Sequence, residues 1–403
     1  MRRLLRIVLA IFASAVLVEA LASIGMRVVT VPYSPLHPPY LNAQQREQLQ
    51  ALLDHQPTYV AFDPTLGWTN RPNAVSADGL YRSNAQGLRA DREYSPALPA
   101  DHVRILAYGD SYTQSDDVTY DDSWEVQLAA RRPEVEVLNA GVAGYTLDQE
   151  LLRFEEKSPR VASDIVLIGF MAENINRIVN VFRPFYLTVG TPLAKPRFVL
   201  RGDDLVLLPN PLQDEDDLRR LLAGDPRLLA DMAAHDYWYD VWPIAGREDV
   251  FATVRLIKAT WSAAKHVLHP DSLIDWRGIY KPTSEGFVIT VKLFNRFVRE
   301  AVARGELPLI VLFPNAQDLY RGLRERYAPL ARTLQDEGLA VIDCETAFSQ
   351  PASAYGITAA SIHYPAAGDA VVADTIGRYL TEHDLLRRDR VQAAVATLKA
   401  HGG

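Results

Sequence analysis

The chain has 403 residues, 42 basic and 50 acidic side chains, and a formal net charge of -8; with its basic residues scattered, nucleic acid is not an expected partner. Its length allows a large buried core, and its only cysteine, Cys344, rules out an intramolecular disulfide. No Cys/His cluster and no Gly-rich phosphate loop stand in the sequence, so neither a metal nor a cofactor is expected.

The chain opens on Arg2, Arg3 and Arg6, runs apolar from Ile7 to Val18, breaks at Glu19 and resumes from Ala20 to Gly25. A basic start before an apolar core fits an uncleaved membrane anchor or a secretory signal. Leu4–Val29 is long enough to span a bilayer, with the arginines on the cytoplasmic side and the rest of the chain outside. Ala20-Leu21-Ala22 resembles a cleavage site, and cleavage there makes the alternative a secreted or periplasmic product. The anchor is the reading adopted, and it requires Glu19 to lie near the outer interface or to meet a partner.

Residues 1–30 thus form the anchor or signal, and 31–58 a linker, stiff from Pro32 to Pro39, with a short helix over 43–54. A main domain is expected over 59–388, opening with a β-rich lead-in at 59–100 broken by Pro, Gly and Asn. Within the lead-in, Trp68 and Arg89 read as packing and hydrogen-bonding residues. Strands are expected near 103–108, 135–139, 164–169, 308–313 and 339–343, and helices near 122–131, 147–157, 284–304 and 324–337. That alternation implies an α/β fold, a flavodoxin-like doubly wound parallel sheet of about five strands with helices on both faces. Cys344 reads as a buried strand-end residue.

A large insertion or lid, 171–283, separates strands three and four. It carries a hairpin over 197–208 turning at Gly202-Asp203, and aromatic residues at Tyr237, Trp238, Tyr239, Trp242, Trp261 and Trp276. These either form the insertion's own core, the favoured reading, or stack on sugar rings. Residues 389–403 are expected as a C-terminal tail.

The most informative run is Val103-Arg104-Ile105-Leu106-Ala107-Tyr108-Gly109-Asp110-Ser111. It places a serine at the carboxyl end of a strand, where open α/β sheets bind ligands. Gly, Asp and Ser are also ordinary turn and cap residues, so the blocks that follow matter. Asn139-Ala140-Gly141-Val142-Ala143-Gly144 closes the second strand, Met171-Ala172-Glu173-Asn174 closes the third, and Ser361-Ile362-His363 comes late in the chain. Serine, glycine, asparagine and histidine in this order resemble the four blocks of the SGNH (GDSL-type) hydrolases, membrane-anchored bacterial members included. The likeness is close over 103–180 and looser over 305–380.

The resemblance implies Ser111 as nucleophile and His363 as base. The backbone N–H of Ser111, the N–H of Gly144 and the side-chain amide of Asn174 would receive the oxyanion of a tetrahedral intermediate. Asp110 is expected to brace the turn without a chemical step. The third block reads Glu173-Asn174 where the family has Asn-Asp. The family's acid belongs two or three residues before the histidine, where Ala360 and Ser361 stand. Three readings follow: a Ser-His dyad steadied by a carbonyl or by Ser361, an acid from elsewhere in the chain, or an inactive descendant. The implied activity is carboxylic ester hydrolysis, with acyl groups on envelope carbohydrate as the substrate class. An O-acyltransferase using the same site and a silent envelope-assembly or carbohydrate-binding protein are the alternatives. The substrate and the membrane are the expected partners, and the oligomeric state stays open.

Overall fold

Five apolar runs become the strands of one parallel sheet: β1 (Val103–Gly109), β2 (Val135–Gly141), β3 (Ile165–Met171), β4 (Leu307–Phe313) and β5 (Val341–Asp343). The computed structural model describes residues 1–28, 41–187, 189–241, 247–268 and 271–400. All strand pairs are parallel and the spatial order is β2-β1-β3-β4-β5. This is the doubly wound order whose direction reverses at β1, the point where such sheets open a crevice at their carboxyl ends.

Side-chain alternation sorts the core into two layers. Leu106 and Tyr108 of β1, Val166, Ile168 and Phe170 of β3, and Ile310 and Leu312 of β4 face one side. Ile105 and Ala107, Ile165 and Leu167, and Leu309 and Val311 face the other. Both faces are covered, which is why the strands read as continuous apolar runs. On the first face lie α4 (Leu147–Glu156), α6 (Glu285–Arg304) and α7 (Ala328–Asp336). On the second lie α3 (Trp124–Arg131), α8 (Ala366–Glu382) and α9 (Arg388–Ala400). The chain also forms, among other helices, α1 (Arg2–Val28), α2 (Ser111–Gln114) and α5 (Ala252–Leu268).

Two expectations are corrected in detail. The segment at 324–337 opens as a 3-10 turn, Arg324–Tyr327, and becomes α-helical only at Ala328, because Pro329 is tolerated only in a helix's first turn. Of residues 389–403, expected as a tail, those up to Ala400 belong to α9, which buries Val391 and Val395 in the second core layer. Cys344 is fully buried just after β5. The expected linker at Pro32–Pro39 and Trp242 lie outside the described residues.

The lead-in forms a short antiparallel pair, Val60–Asp63 with Gly67–Asn70. The insertion holds the hairpin Arg197–Arg201 with Asp204–Leu208 and several short helices. Its aromatic residues divide. Trp238 is buried in the main core with its indole N–H on the Asn176 carbonyl at 2.7 Å, and Tyr237 and Tyr239 pack against the same layer. Trp261 and Trp276 are exposed. The insertion therefore shares the first core layer instead of building a separate one.

Candidate active site

Where β1 ends, the chain needs a tight turn, and Asp110 makes it. Its Oδ1 accepts the Tyr112 N–H at 2.8 Å, capping α2. Its Oδ2 accepts from Asn174 Nδ2 at 3.1 Å and from Arg177 at 3.5 Å. The bracing role expected of Asp110 is what the structure contains. Helix α2 rests directly on the sheet because three strands carry a glycine beneath it, Gly109 and Gly141 at strand ends and Gly169 inside β3. A Cβ on Gly109 or Gly169 would run into Thr113, and one on Gly141 into the backbone of Thr113 and Gln114. Ser111, the first residue of α2, is thereby held over the carboxyl end of the sheet.

The structure brings Ser111 and His363 together across 252 residues: His363 Nε2 lies 2.9 Å from Ser111 Oγ. The other ring nitrogen, Nδ1, lies 2.8 Å from Oδ2 of Asp117. With the proton on Nδ1 donated to Asp117, Nε2 is left to accept from the serine hydroxyl. An acid from elsewhere in the chain thus occupies the place that Ala360 and Ser361 leave empty. It lies on the turn that follows Ser111.

That turn is pinned from two directions. Ser115 and Asp117 take left-handed conformations, with φ of 56° and 70°, a region that Asp tolerates better than most residues. The Asp117 N–H donates to the Tyr81 hydroxyl at 2.9 Å. The buried guanidinium of Arg89 donates to the carbonyls of Gln114, Ser115 and Val118. Arg89 is a packing and hydrogen-bonding residue, as the sequence suggested, and its load is the acid's turn. His363 is held by Tyr112, whose ring meets it edge-on with centroids 5.4 Å apart and whose hydroxyl donates to the Ile362 carbonyl at 2.8 Å.

Burial pulls the His363 pKa down, but the bond to Asp117 and the charges of Asp116, Asp117 and Asp110 outweigh it, so the ring is more basic than an ordinary histidine. Asp117 moves the other way, held below the usual carboxylate range by its bond to His363. Asp116, half-buried beside it, is pushed up to about 6 by desolvation.

Ser111, His363 and Gly144 line one cavity of about 470 Å3. Gly144 has φ of 80°, a conformation that glycine adopts without strain. Trp68 steadies its loop by donating its indole N–H to the Ala143 carbonyl at 3.0 Å. Among the described residues, neither the Ser111 N–H nor the Gly144 N–H has a protein acceptor, so both are free to receive an oxyanion. Asn174 differs: it is fully buried, gives Nδ2 to Asp110, and does not line the cavity. Its proposed contribution is therefore less direct than that of the two backbone donors. Among the described residues no group of three or more His, Cys, Asp or Glu side chains is placed to hold a metal ion.

Besides Asp117, two residues were not foreseen from the sequence, Arg177 and Arg183, both buried and both lining the cavity. Arg177 pairs with Glu173 at 2.6 Å and reaches Asp110.

A scan against protein-family models finds no match, and a search of curated proteins finds none either. Solved structures give distant likenesses. A member of the lipolytic protein G-D-S-L family from Veillonella parvula has 15% identity and a TM-score of 0.32, covering 69% of this chain and 98% of its own. A lipase/acylhydrolase from Enterococcus faecalis has 15% identity and a TM-score of 0.32, covering 69% and 95%. A catalytic mutant of an acetylxylan esterase from Geobacillus stearothermophilus has 13% identity and a TM-score of 0.31, covering 68% and 93%. Likeness at this level leaves the chemistry to be read from the site itself.

Proposed function

We propose that this chain is a serine ester hydrolase of the SGNH type, tethered to the outer face of the cytoplasmic membrane and acting on acyl groups of envelope carbohydrate. The observation that carries the reading is the hydrogen-bonded series Ser111–His363–Asp117 opening into a cavity with two unpaired backbone donors. Ser111 Oγ attacks the acyl carbonyl while His363 Nε2 takes its proton. The carbonyl oxygen becomes an oxyanion between the N–H groups of Ser111 and Gly144. As the C–O bond breaks, the imidazolium returns the proton to the departing alcohol. Water then attacks the acyl-enzyme by the same route and the acid is released. Asp117 holds the ring in the productive tautomer and stabilises the imidazolium. An acid in this position disfavours the dyad and silent-protein readings.

Release of p-nitrophenol from p-nitrophenyl acetate, with and without a glycan acceptor, tests the reading. Acetate as the product in both cases is expected. Transfer of acetyl to the acceptor in preference to water would make the chain an acyltransferase, and no turnover of any short acyl ester would return the silent protein.

The membrane part rests on α1. Among the described residues it alone is long and apolar enough to cross a bilayer, with Arg2–Met26 at mean hydropathy 2.5, and nearly all of it is exposed. Glu19 meets a partner: its carboxylate accepts from the backbone N–H groups of Ala252 and Thr253 and from the Thr253 hydroxyl at 2.6 Å. It thus caps the N-terminus of α5, where a negative charge is favourable. Val250 and Phe251, next to that cap, are also exposed. The full-length chain is expected in the membrane pellet after alkaline carbonate washing and in solution only after detergent. A soluble product beginning at Ser23 would refute the anchor.

A further inference from the structure

Among the described residues, every buried guanidinium group but one has hydrogen-bond or ion-pair partners. Arg89 and Arg153 donate to backbone carbonyls, Arg104 pairs with Glu136 at 2.8 Å, Arg197 with Glu285 at 2.6 Å, and Arg177 with Glu173 at 2.6 Å. Arg183 is as buried, 7% exposed, and is treated differently. Among the described residues no carboxylate lies within ion-pairing distance of it and no acceptor takes its hydrogen bonds. The nearby carboxylate, Glu173, is occupied by Arg177 and by the Tyr186 hydroxyl. What Arg183 does meet is the Tyr186 ring, 5.9 Å from its guanidinium carbon. Burial and the like charge of Arg177 push its pKa down to about 10, so the cation is uncomfortable where it stands yet still charged at neutral pH. Taking a charge out of water without a partner is costly, unless a partner arrives with the ligand.

Its position says which ligand. Arg183 lines the cavity that holds Ser111 and His363. The described lining residues include two guanidinium groups, Arg177 and Arg183, and one carboxylate, Asp116, which already accepts from Gln114 Nε2 at 2.9 Å. Arg177 is already neutralised by Glu173 and Asp110, which leaves Arg183 as the lining cation with no protein carboxylate paired to it among the described residues. A volume of about 470 Å3 has room for a sugar-sized acid.

We propose that Arg183 is an anion subsite of the ester-cleaving site, binding a carboxylate that the substrate carries on the acyl or the alcohol side of its ester. The planar guanidinium fork matches a carboxylate in a bidentate pair, and the pair forms away from bulk water, where it is strongest. This rests on the esterase reading above and deepens it: the preferred ester is an acidic one.

Two substrate pairs test the inference and separate its sources. p-Nitrophenyl hemisuccinate against p-nitrophenyl acetate places the carboxylate on the acyl side. O-acetylated methyl glucuronoside against O-acetylated methyl glucoside places it on the alcohol side. In the unaltered protein one acidic member is expected to exceed its neutral partner in kcat/KM by about tenfold to a hundredfold, the range of a charge-assisted pair. Arg183→Gln is expected to bring that ratio close to unity. Arg183→Lys, which keeps the charge and loses the fork, is expected to retain part of it. No preference in either pair overturns the subsite without recourse to any variant. If no ester is cleaved at all, the esterase reading fails and the subsite is still testable. In Ser111→Ala protein, glucuronate or succinate is expected to raise the Tm where glucose does not. An equal rise after adding Arg183→Gln overturns the subsite.

Discussion

Ser111→Ala is expected to lower ester hydrolysis by at least about a thousandfold, because it removes the atom that bonds to the acyl group and leaves only the oxyanion donors and binding to help water. The fold is expected to survive. Ser111 contributes its hydroxyl only to His363, and α2 is held by the Asp110 cap and by the three glycines beneath it. The Tm should therefore stay close to that of the unaltered protein while the rate collapses. A fluorophosphonate gives a second readout that needs no substrate: it should label Ser111 in the native protein and nothing in the variant. Labelling of the alanine variant at native level would assign the nucleophile elsewhere.

The sheet was legible in the sequence because it is buried on both faces. Strands such as Asp164-Ile165-Val166-Leu167-Ile168 carry no polar alternation to confuse with a helix, and β1 and β2 end on glycines that make room for α2. The same logic placed Ser111 and Gly144 at strand ends. Asp117 was not legible. It lies 246 residues from the histidine it serves, and the usual neighbourhood of that histidine offers only Ala360 and Ser361. One local signal existed, an Asp-Asp pair just after the nucleophile block. Such a pair reads as a solvated loop until Arg89 is known to clamp the carbonyls around it. Arg183 escaped for a related reason. Nothing in Phe182-Arg183-Pro184 says that the side chain is buried, and only the packed insertion turns it toward Ser111. Residues whose role depends on a missing or distant partner leave no pattern along the chain.

Asp117→Asn is expected to lower kcat by about tenfold to a thousandfold and to move the acid limb of the pH–rate profile to lower pH. The rate effect follows from losing the charge that favours the imidazolium while an acceptor for Nδ1–H is kept. It should be smaller than in sites where the acid is buried, because the Asp117 side chain is 62% exposed and solvent screens its field. Asp116 and Asp110 also remain to stabilise the charged ring. The direction of the pH effect comes from the same contacts. The base works only when neutral, and its pKa in the native site is raised above the ordinary 6.5, so activity should fall as pH drops through a midpoint above that value. Removing the Asp117 bond takes away the leading upward contribution. The ring then stays neutral to lower pH, and the limb shifts down even as the plateau rate drops. Asp117→Ala, lacking the acceptor as well, should be slower still. Introducing Asp at position 360 or 361 of the native chain should add little, since Nδ1 is already engaged. Profiles of kcat against pH for the native and Asn forms decide the matter: an unmoved limb and an unchanged plateau would remove Asp117 from the site and bring back the dyad.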